Sequence, residues 1–190
     1  MSRQETREAE QDKYQEAYTS PRYKLGEVRK KDMFADVSKI LNENNISTHL
    51  DISCGRGELI DYVKSHNVAS KGVEIVDALL EKEEVQFGWA HDLPFGDKVF
   101  DLVSNCDAME HYLPEDTDAI LDEIFRVTNK VAYFTISNEP SYMTSKNGSQ
   151  VNLHINIKTY DEWEKLLSKY GTCTRVSTNS VSVGFVVEVQ

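Results

Sequence analysis

Apolar positions recur along the chain with two periods, which divide it into predicted strands and predicted helices. Helices are predicted at 58–66, at 77–83 and after Pro114, which stands where a first helical turn begins. Short apolar runs typical of buried strands lie at 48–53, 72–76, 85–90, 100–106 and 130–137. Strands that alternate with helices in this way predict a parallel sheet with helices on both faces.

The C-terminal part of the chain adds a helix and a hairpin. Thr159 and Glu162 form a capping box that predicts a helix, and Gly171 stands at its expected stop. The strand-like runs 172–178 and 181–190 are separated by only two residues, Asn179 and Ser180, which predicts a hairpin. The expected fold class is therefore α/β, a doubly wound and mostly parallel seven-stranded sheet with an antiparallel C-terminal hairpin strand and helices on both faces.

Two segments stand apart from this alternation. Residues 1–20 carry almost no large apolar side chains, so burial alone cannot offset the entropy cost of ordering them. We predict an N-terminal arm at 1–23, flexible or lid-forming, and a single domain at 24–190 that opens with an amphipathic helix to about residue 45. Residues 138–158 lack a clear period, and a connection of that length is often functional.

Composition narrows the functional classes. The 190 residues carry a formal net charge of −11, which argues against nucleic acid as a partner. A basic run at 22–31 is more typical of a solvated helix face than of a docking surface. Three cysteines at wide spacings predict neither a disulfide framework nor a metal site. The chain has no apolar run long enough to span a bilayer, so we expect a cytoplasmic protein with no membrane partner.

Acidic residues and glycines gather where three predicted strands end. Asp51 precedes a turn that contains Gly55 and Gly57, and these glycines let a ligand approach the backbone closely. Glu74 and Asp92 follow the next two strands. Each acid alone is more typical of a loop carboxylate or a helix cap, but the carboxyl ends of neighbouring strands line one crevice. The ordered set of three predicts a site for a cationic, nucleoside-containing ligand.

Four segments together resemble the motifs of class I S-adenosylmethionine-dependent methyltransferases. They are HLDISCGRGEL at 49–59, GVEIV at 72–76, AHDLPF at 90–95 and FDLVSNCDAMEHY at 100–112. The resemblance implies a Rossmann-like methyltransferase domain at 24–190 that binds S-adenosylmethionine, with the ribose on Glu74 and the adenine amino group on Asp92. The implied cofactor-binding residues are Asp51, Ser53, Gly55, Gly57, Glu74, Ile75, His91, Asp92, Leu93 and Asn105.

One residue departs from the family pattern. Ser53 stands where the family commonly has the first glycine of the loop. A small hydroxyl residue is tolerated there if the backbone stays at negative φ, and that is what we expect.

The candidate catalytic residues are two histidines, because a base near neutrality suits a hydroxyl or ammonium acceptor. His111 follows the fourth strand, and His154 lies in the long loop. A structural role is at least as common for a histidine at position 111, and the long loop is equally typical of a plain surface connection. Tyr14, Tyr18 and Tyr23 are expected either to form an aromatic lid or to pack the arm onto the domain.

The sequence therefore favours a methyltransferase that acts on a small-molecule acceptor. Two alternatives stay open, namely a methyltransferase for nucleic acid or protein that docks through 22–31, and a cofactor-binding module without activity. The oligomeric state and the acceptor are not encoded in any pattern that we recognise.

Overall fold

The structure is a computed structural model that describes residues 2–19, 27–178 and 182–189. Its helices in these ranges are α1 (Arg3–Thr19), α2 (Glu27–Glu43), α3 (Glu58–Lys64), α4 (Thr117–Val127) and α5 (Tyr160–Leu167). Its strands are β1 (Thr48–Ile52), β2 (Ala69–Glu74), β3 (Val85–Phe87), β4 (Phe100–Cys106), β5 (Thr128–Ile136), β6 (Tyr142–Thr144), β7 (Gln150–Asn152), β8 (Gly171–Thr178) and β9 (Val183–Val189).

Seven of these strands form one sheet in the order β3-β2-β1-β4-β5-β9-β8. β1 to β5 run parallel, whereas β9 is antiparallel to both β5 and β8. The predicted fold class is confirmed, including the antiparallel C-terminal strand. Asn179 and Ser180, the predicted hairpin turn, lie outside the described residues.

Alternating side chains on the strands supply two cores, one on each face of the sheet. Leu102 on β4 packs with α2 and α3, whereas its neighbour Val103 packs with α4 and α5. Trp163 of α5 is fully buried in the second core. Because successive strand residues point to opposite faces, apolar runs on both faces require helices on both sides, as predicted.

Two predicted element bounds are wrong. In place of a helix at 77–83, the chain makes one 3-10 turn at Asp77–Leu79, because the charged residues that follow leave only Leu79 buried there. Gly171 does not stop the preceding helix but begins β8, since α5 already ends at Leu167. The capping box of Thr159 and Glu162 is confirmed.

The N-terminal arm contains a helix that apolar burial does not explain. Ala17 is the buried residue of α1 within the described part of the chain. α1 is held by polar contacts to the sheet domain, and charge-assisted hydrogen bonds can replace the missing apolar area. The loop at 138–158 also has structure, because β6 and β7 form a short antiparallel hairpin there. No helix among the described residues is long and apolar enough to cross a membrane.

Candidate cofactor and acceptor site

A pocket opens at the carboxyl ends of the parallel strands, under α1. Predicted site residues that line it are Ser53, Glu74, Ile75, His91 and His111. α1 contributes Arg7, Glu10, Tyr14 and Tyr18 to the same lining. The pocket is rich in carboxylates, since four of the described lining residues are acidic (Glu10, Glu74, Asp107 and Asp116) and Arg7 is the one guanidinium among them. Such a lining favours a cationic ligand.

Glu74 ties the end of β2 to the glycine loop. One carboxylate oxygen accepts the backbone N–H of Gly55 at 2.8 Å, and the other accepts those of Ile75 at 2.8 Å and Val76 at 3.1 Å. The side chain is buried, and burial raises its pKa while these backbone hydrogen bonds lower it. Glu74 therefore orders the loop even without a ligand.

The glycine loop has a left-handed backbone at three positions. Gly55 has φ +54° and Gly57 has φ +69°, and a Cβ on Gly55 would lie 2.9 Å from the Tyr18 hydroxyl oxygen. Ser53 has φ +57°, so our expectation of negative φ at this residue is wrong. Its hydroxyl lies 2.7 Å from the Tyr112 hydroxyl, and this hydrogen bond compensates part of the strain.

Substitution of Ser53 separates the strain from the hydrogen bond. We expect Ser53→Ala to lower the free energy of unfolding by ~1 kcal/mol, because it loses the hydrogen bond and keeps the left-handed backbone. Ser53→Gly should regain ~1 kcal/mol relative to Ser53→Ala, since glycine adopts positive φ without a steric cost. Urea unfolding of both variants measures the difference. Equal stabilities of the alanine and glycine variants would contradict the strain.

Asp51 lies at the end of a buried hydrogen-bond chain on the α3 face of the sheet. The Ser104 hydroxyl donates to Asp51 Oδ1 at 2.6 Å and lies 2.9 Å from His49 Nε2, while His49 Nδ1 lies 2.7 Å from the Ser70 hydroxyl. Burial lowers the pKa of His49 to about 3 and raises that of Asp51 to about 7. His49 is thus a neutral spacer, and Asp51 titrates near neutrality. The role of His49 was missed because it reads as an ordinary strand residue.

Asn105 holds the end of β4 beside the loop. Its amide nitrogen donates to the Ile52 carbonyl oxygen at 3.1 Å and to the Tyr112 hydroxyl at 2.8 Å. Its amide oxygen is buried and has no hydrogen-bond partner among the described residues. A buried acceptor of this kind is normally satisfied, so it favours a ligand that brings an N–H or O–H donor.

Other predicted cofactor residues lie away from the pocket lining. Gly57 caps the start of α3. Asp92 is exposed, and Leu93 is a core residue whose backbone N–H donates to Glu123 Oε2 at 2.8 Å. The adenine contact predicted for Asp92 and the cofactor contact predicted for Leu93 therefore stay predictions.

The two candidate catalytic histidines lie together. Their ring centroids are 4.6 Å apart, with the rings perpendicular. His111 Nδ1 lies 2.7 Å from the Tyr14 hydroxyl and 3.0 Å from the Leu153 carbonyl oxygen, to which Tyr14 also donates at 3.2 Å. His154 Nδ1 lies 2.5 Å from the Glu139 carbonyl oxygen. Because a carbonyl oxygen only accepts, each Nδ1 carries a hydrogen in the neutral ring, and Nε2 is the basic nitrogen.

α1 is bound to the pocket rim by residues that the sequence did not single out. Arg7 donates to both oxygens of Asp116, at 2.7 and 2.8 Å, and Arg3 joins the same carboxylate. Burial acts to raise the pKa of Asp116, but the two guanidinium groups outweigh it and hold that pKa below its ordinary value. Gln11 donates to the Ile75 carbonyl oxygen at 2.8 Å. No local signal could have found these pairs, because the partners are far apart in the chain.

The structure describes some of the tyrosines and basic residues that the sequence singled out. Tyr14 and Tyr18 lie in the pocket lining, whereas Tyr23 is outside the described residues. Residues 22–26 of the basic run are also outside them, and Lys30 of this run forms an ion pair of 2.8 Å with Glu58. A lysine that is paired in this way is less available to a phosphate.

Comparisons with known proteins agree with the fold and with the motifs. The chain resembles the PH0226 protein from Pyrococcus horikoshii OT3, with 18% identity over 87% of this chain and 92% of that chain and a TM-score of 0.71. DhpI in complex with SAH gives 14% identity over 95% and 96% of the two chains, with a TM-score of 0.72. No curated protein matches the chain significantly. Residues 50–136 match a family model described as "Methyltransferase domain". The stretch 50–136 therefore carries a methyltransferase domain.

A third comparison includes a substrate. The Burkholderia thailandensis 1,6-didemethyltoxoflavin-N1-methyltransferase, solved with 1,6-didemethyltoxoflavin and S-adenosylhomocysteine, gives 17% identity over 100% of this chain and 91% of that chain, with a TM-score of 0.69. The predicted class, an S-adenosylmethionine-dependent methyltransferase, and its predicted cofactor are thus confirmed. The family match runs from β1 to β5, and this stretch contains all four motifs except for His49, the first residue of the first motif.

The residues of this methyltransferase fit such a cofactor. The unsatisfied amide oxygen of Asn105 and the buried carboxylates of Asp51 and Glu74 lie at the ends of three neighbouring strands. Together they offer acceptors for ribose hydroxyls and an ammonium group. Carboxylates also favour a sulfonium cation.

The raised pKa of Asp51 predicts a pH-dependent affinity of the methyltransferase for S-adenosylmethionine. A cationic ligand favours the ionised carboxylate, so binding below pH 7 must first remove a proton from Asp51. We expect the association constant to fall by up to about tenfold from pH 8 to pH 6 through this group. Calorimetric titration at several pH values measures it. Asp51→Asn should remove this component, and an identical pH profile in wild type and variant would contradict the assignment.

Proposed function

We propose that this methyltransferase transfers the methyl group of S-adenosylmethionine to a small-molecule acceptor bound beneath α1. The observation that carries the proposal is that α1 covers the pocket. Four α1 residues line the pocket, and Arg7 and Tyr14 are anchored on the opposite wall through Asp116 and His111. A macromolecular acceptor would have to displace these contacts, whereas a small molecule fits beneath them.

The cofactor is held by the strand ends. In this proposal Glu74 accepts the ribose hydroxyls, Asp51 and the Asn105 amide oxygen face the ammonium group, and the glycine loop passes under the methionine portion. The complete set proposed for the cofactor is Asp51, Ser53, Gly55, Gly57, Glu74, Ile75, His91, Asp92, Leu93 and Asn105. The bound sulfonium supplies an activated methyl group, so the protein contributes mainly alignment and exclusion of water.

His111 and His154 form the acceptor side. His111 lines the pocket, and His154 packs on it edge to face. The carbonyl oxygens of Leu153 and Glu139 fix both rings with Nε2 as the basic atom, which suits binding of an acceptor O–H or N–H. Tyr14 holds the His111 ring from the α1 side, so closing α1 also completes the acceptor site.

The N-terminal arm acts in this scheme as a lid. α1 is attached through polar contacts at its rim and buries little apolar surface, so its release costs less than the unfolding of a core helix. Cofactor and acceptor could enter when the Arg7–Asp116 contacts open. The lid then excludes water during transfer.

Two observations support a small acceptor. The net charge of −11 disfavours a nucleic-acid surface, and Lys30 of the basic run is paired with Glu58. The Burkholderia thailandensis neighbour with bound 1,6-didemethyltoxoflavin is an example of this fold acting on a small molecule. Fold likeness alone does not select an acceptor, so the argument depends on the covered pocket.

Release of S-adenosylhomocysteine tests the proposal. The full chain is incubated with S-adenosylmethionine and fractionated small metabolites, and the product cofactor is quantified by mass spectrometry. We expect release with at least one low-mass fraction, and none with Glu74→Ala under the same conditions. Release only with RNA or protein fractions would overturn the small-acceptor proposal. Cofactor binding without any turnover would instead indicate a non-catalytic binding module.

A further inference from the structure

Three side chains that can bind metal ions meet beside the pocket, where His111 lines it. Glu110 and His111 belong to the 3-10 turn Met109–His111 after β4, and His154 comes from the loop before α5. One potential ligand atom from each lies within 4.8 Å of the other two. Glu110 and His154 are buried, whereas His111 lines the pocket. The sequence predicted no metal site, because its three cysteines are widely spaced.

The two imidazoles are oriented as metal-bound histidines usually are. His154 Nδ1 donates to the Glu139 carbonyl oxygen, and His111 Nδ1 donates to that of Leu153. A histidine that ligates a metal through one nitrogen typically donates the other N–H to a carbonyl or carboxylate, which fixes the ring and increases its basicity. Both rings therefore present Nε2 as the ligating atom.

The carboxylate and its surroundings are also fixed. Glu110 Oε1 accepts the backbone N–H of Ser137 at 3.0 Å. Asn156 ties the His154 loop to the turn, since its backbone N–H donates to the Glu110 carbonyl oxygen and its amide to that of Met109, both at 3.0 Å. The amide of the buried Asn156 also donates to the Thr117 hydroxyl at 3.0 Å. The two segments thus form one rigid frame, which lowers the entropy cost of binding an ion.

We propose that Glu110, His111 and His154 form a site for a divalent transition-metal cation. Two imidazoles and one carboxylate are a ligand set that zinc, cobalt and manganese ions accept. Metal–ligand bonds of ~2.0–2.2 Å place ligand atoms about 3–3.5 Å apart. Side-chain rotations that move the ligand atoms by about 1–2 Å would bring the three groups to these distances. Three protein ligands leave coordination positions open, and the pocket side of His111 makes them accessible to an acceptor oxygen. This last step rests on the proposed function, whereas cation binding does not.

Cobalt titration tests the site without any assay of activity. The full chain, without a histidine tag and stripped with a chelator, is titrated with Co²⁺ while the visible absorption of the bound ion is recorded. We expect one equivalent to bind. His154→Ala and His111→Ala should each weaken binding by ~100-fold or more, because loss of even a residue that only orients a ligand costs about 10–100-fold.

A matched control excludes adventitious binding to histidine. His66 is exposed, and its Nδ1 lies 2.9 Å from the Tyr62 carbonyl oxygen, away from the pocket. His66→Ala should leave the cobalt spectrum and affinity unchanged. No binding at ~1 mM Co²⁺, or affinity that is unchanged in both pocket variants, would overturn the proposal. Loss of the signal in His66→Ala would do the same.

Folding and cofactor binding are monitored separately in the same variants. Glu110→Gln keeps an acceptor for Ser137 and should still weaken cobalt binding, which covers the case in which an alanine variant fails to fold. Titration with S-adenosylhomocysteine shows whether each variant is intact. If the wild-type protein binds that ligand but not Co²⁺, the cation site fails and the proposed function is unaffected. If the wild-type protein binds Co²⁺ but not S-adenosylhomocysteine, the proposed function fails and the cation site stands.

Discussion

Glu74→Ala is expected to abolish useful cofactor affinity and to destabilise the cofactor-free protein. The carboxylate satisfies the backbone N–H groups of Gly55, Ile75 and Val76, and each buried donor left without an acceptor costs ~1–3 kcal/mol. We expect the free energy of unfolding to fall by at least ~3 kcal/mol. Loss of the two charge-assisted hydrogen bonds that we propose to the ribose should weaken binding by roughly 100-fold or more. Urea unfolding and calorimetry with S-adenosylhomocysteine measure the two effects.

Two further variants separate the causes. Glu74→Gln retains one carbonyl acceptor, so its stability and affinity should lie between those of wild type and Glu74→Ala. Glu83→Ala removes an exposed carboxylate after the same strand and should change neither quantity. Unaltered affinity in a folded Glu74→Ala protein would show that the ribose is bound elsewhere.

The fold could be predicted because its determinants are local. β4 has the bounds that its apolar run predicts, and Thr159 with Glu162 marks the start of α5 through a capping box within four residues. The error at 77–83 has the opposite cause, because the missing determinant there is not local. Helical residue types are present in that segment, but a helix also needs a surface to cover, and only Leu79 finds one.

The site could be predicted only where a residue ends a strand. Glu74 belongs to this group, and it lines one pocket with Ser53 and His91. Residues that act through distant partners gave no signal. Arg7 reads as part of a charged arm until α1 lies across Asp116, and the contact of Tyr14 with His111 spans a similar separation. Side-chain pairs of this kind depend on the folded arrangement, which no sequence window contains.

Backbone conformation was the other property that sequence could not supply. A serine in the first glycine position predicted an ordinary backbone, but Ser53 adopts positive φ and is held by Tyr112. The loop geometry is set by Glu74, which accepts the Gly55 N–H. The residue at position 53 therefore adopts positive φ even though it is not a glycine. Strain at a ligand loop is therefore stabilised by contacts from β2 and from the turn after β4.

His111→Ala is expected to reduce turnover by ~100-fold to 10,000-fold while cofactor affinity changes little. His111 lines the pocket, on the side proposed to bind the acceptor, and its ring is fixed by Tyr14 and by the Leu153 carbonyl oxygen. Tyr14→Phe should cost less than about tenfold, because Leu153 still orients the ring. Initial rates with the acceptor fraction identified by S-adenosylhomocysteine release measure both losses. A His111→Ala protein with wild-type turnover would remove this residue from the mechanism.

The same assay distinguishes proton acceptance by His111 from ligation of a cation. If Glu110, His111 and His154 hold a metal ion, chelator treatment of the wild-type protein should reproduce the loss seen in His111→Ala, and added Zn²⁺ or Mn²⁺ should restore the rate. If His111 itself takes the acceptor proton, the chelator should have no effect on wild type. In both cases His66→Ala should retain full turnover, since that histidine is far from the pocket lining. The chelator response therefore distinguishes a metal ligand from a proton acceptor, whereas the alanine variant shows only that His111 is needed.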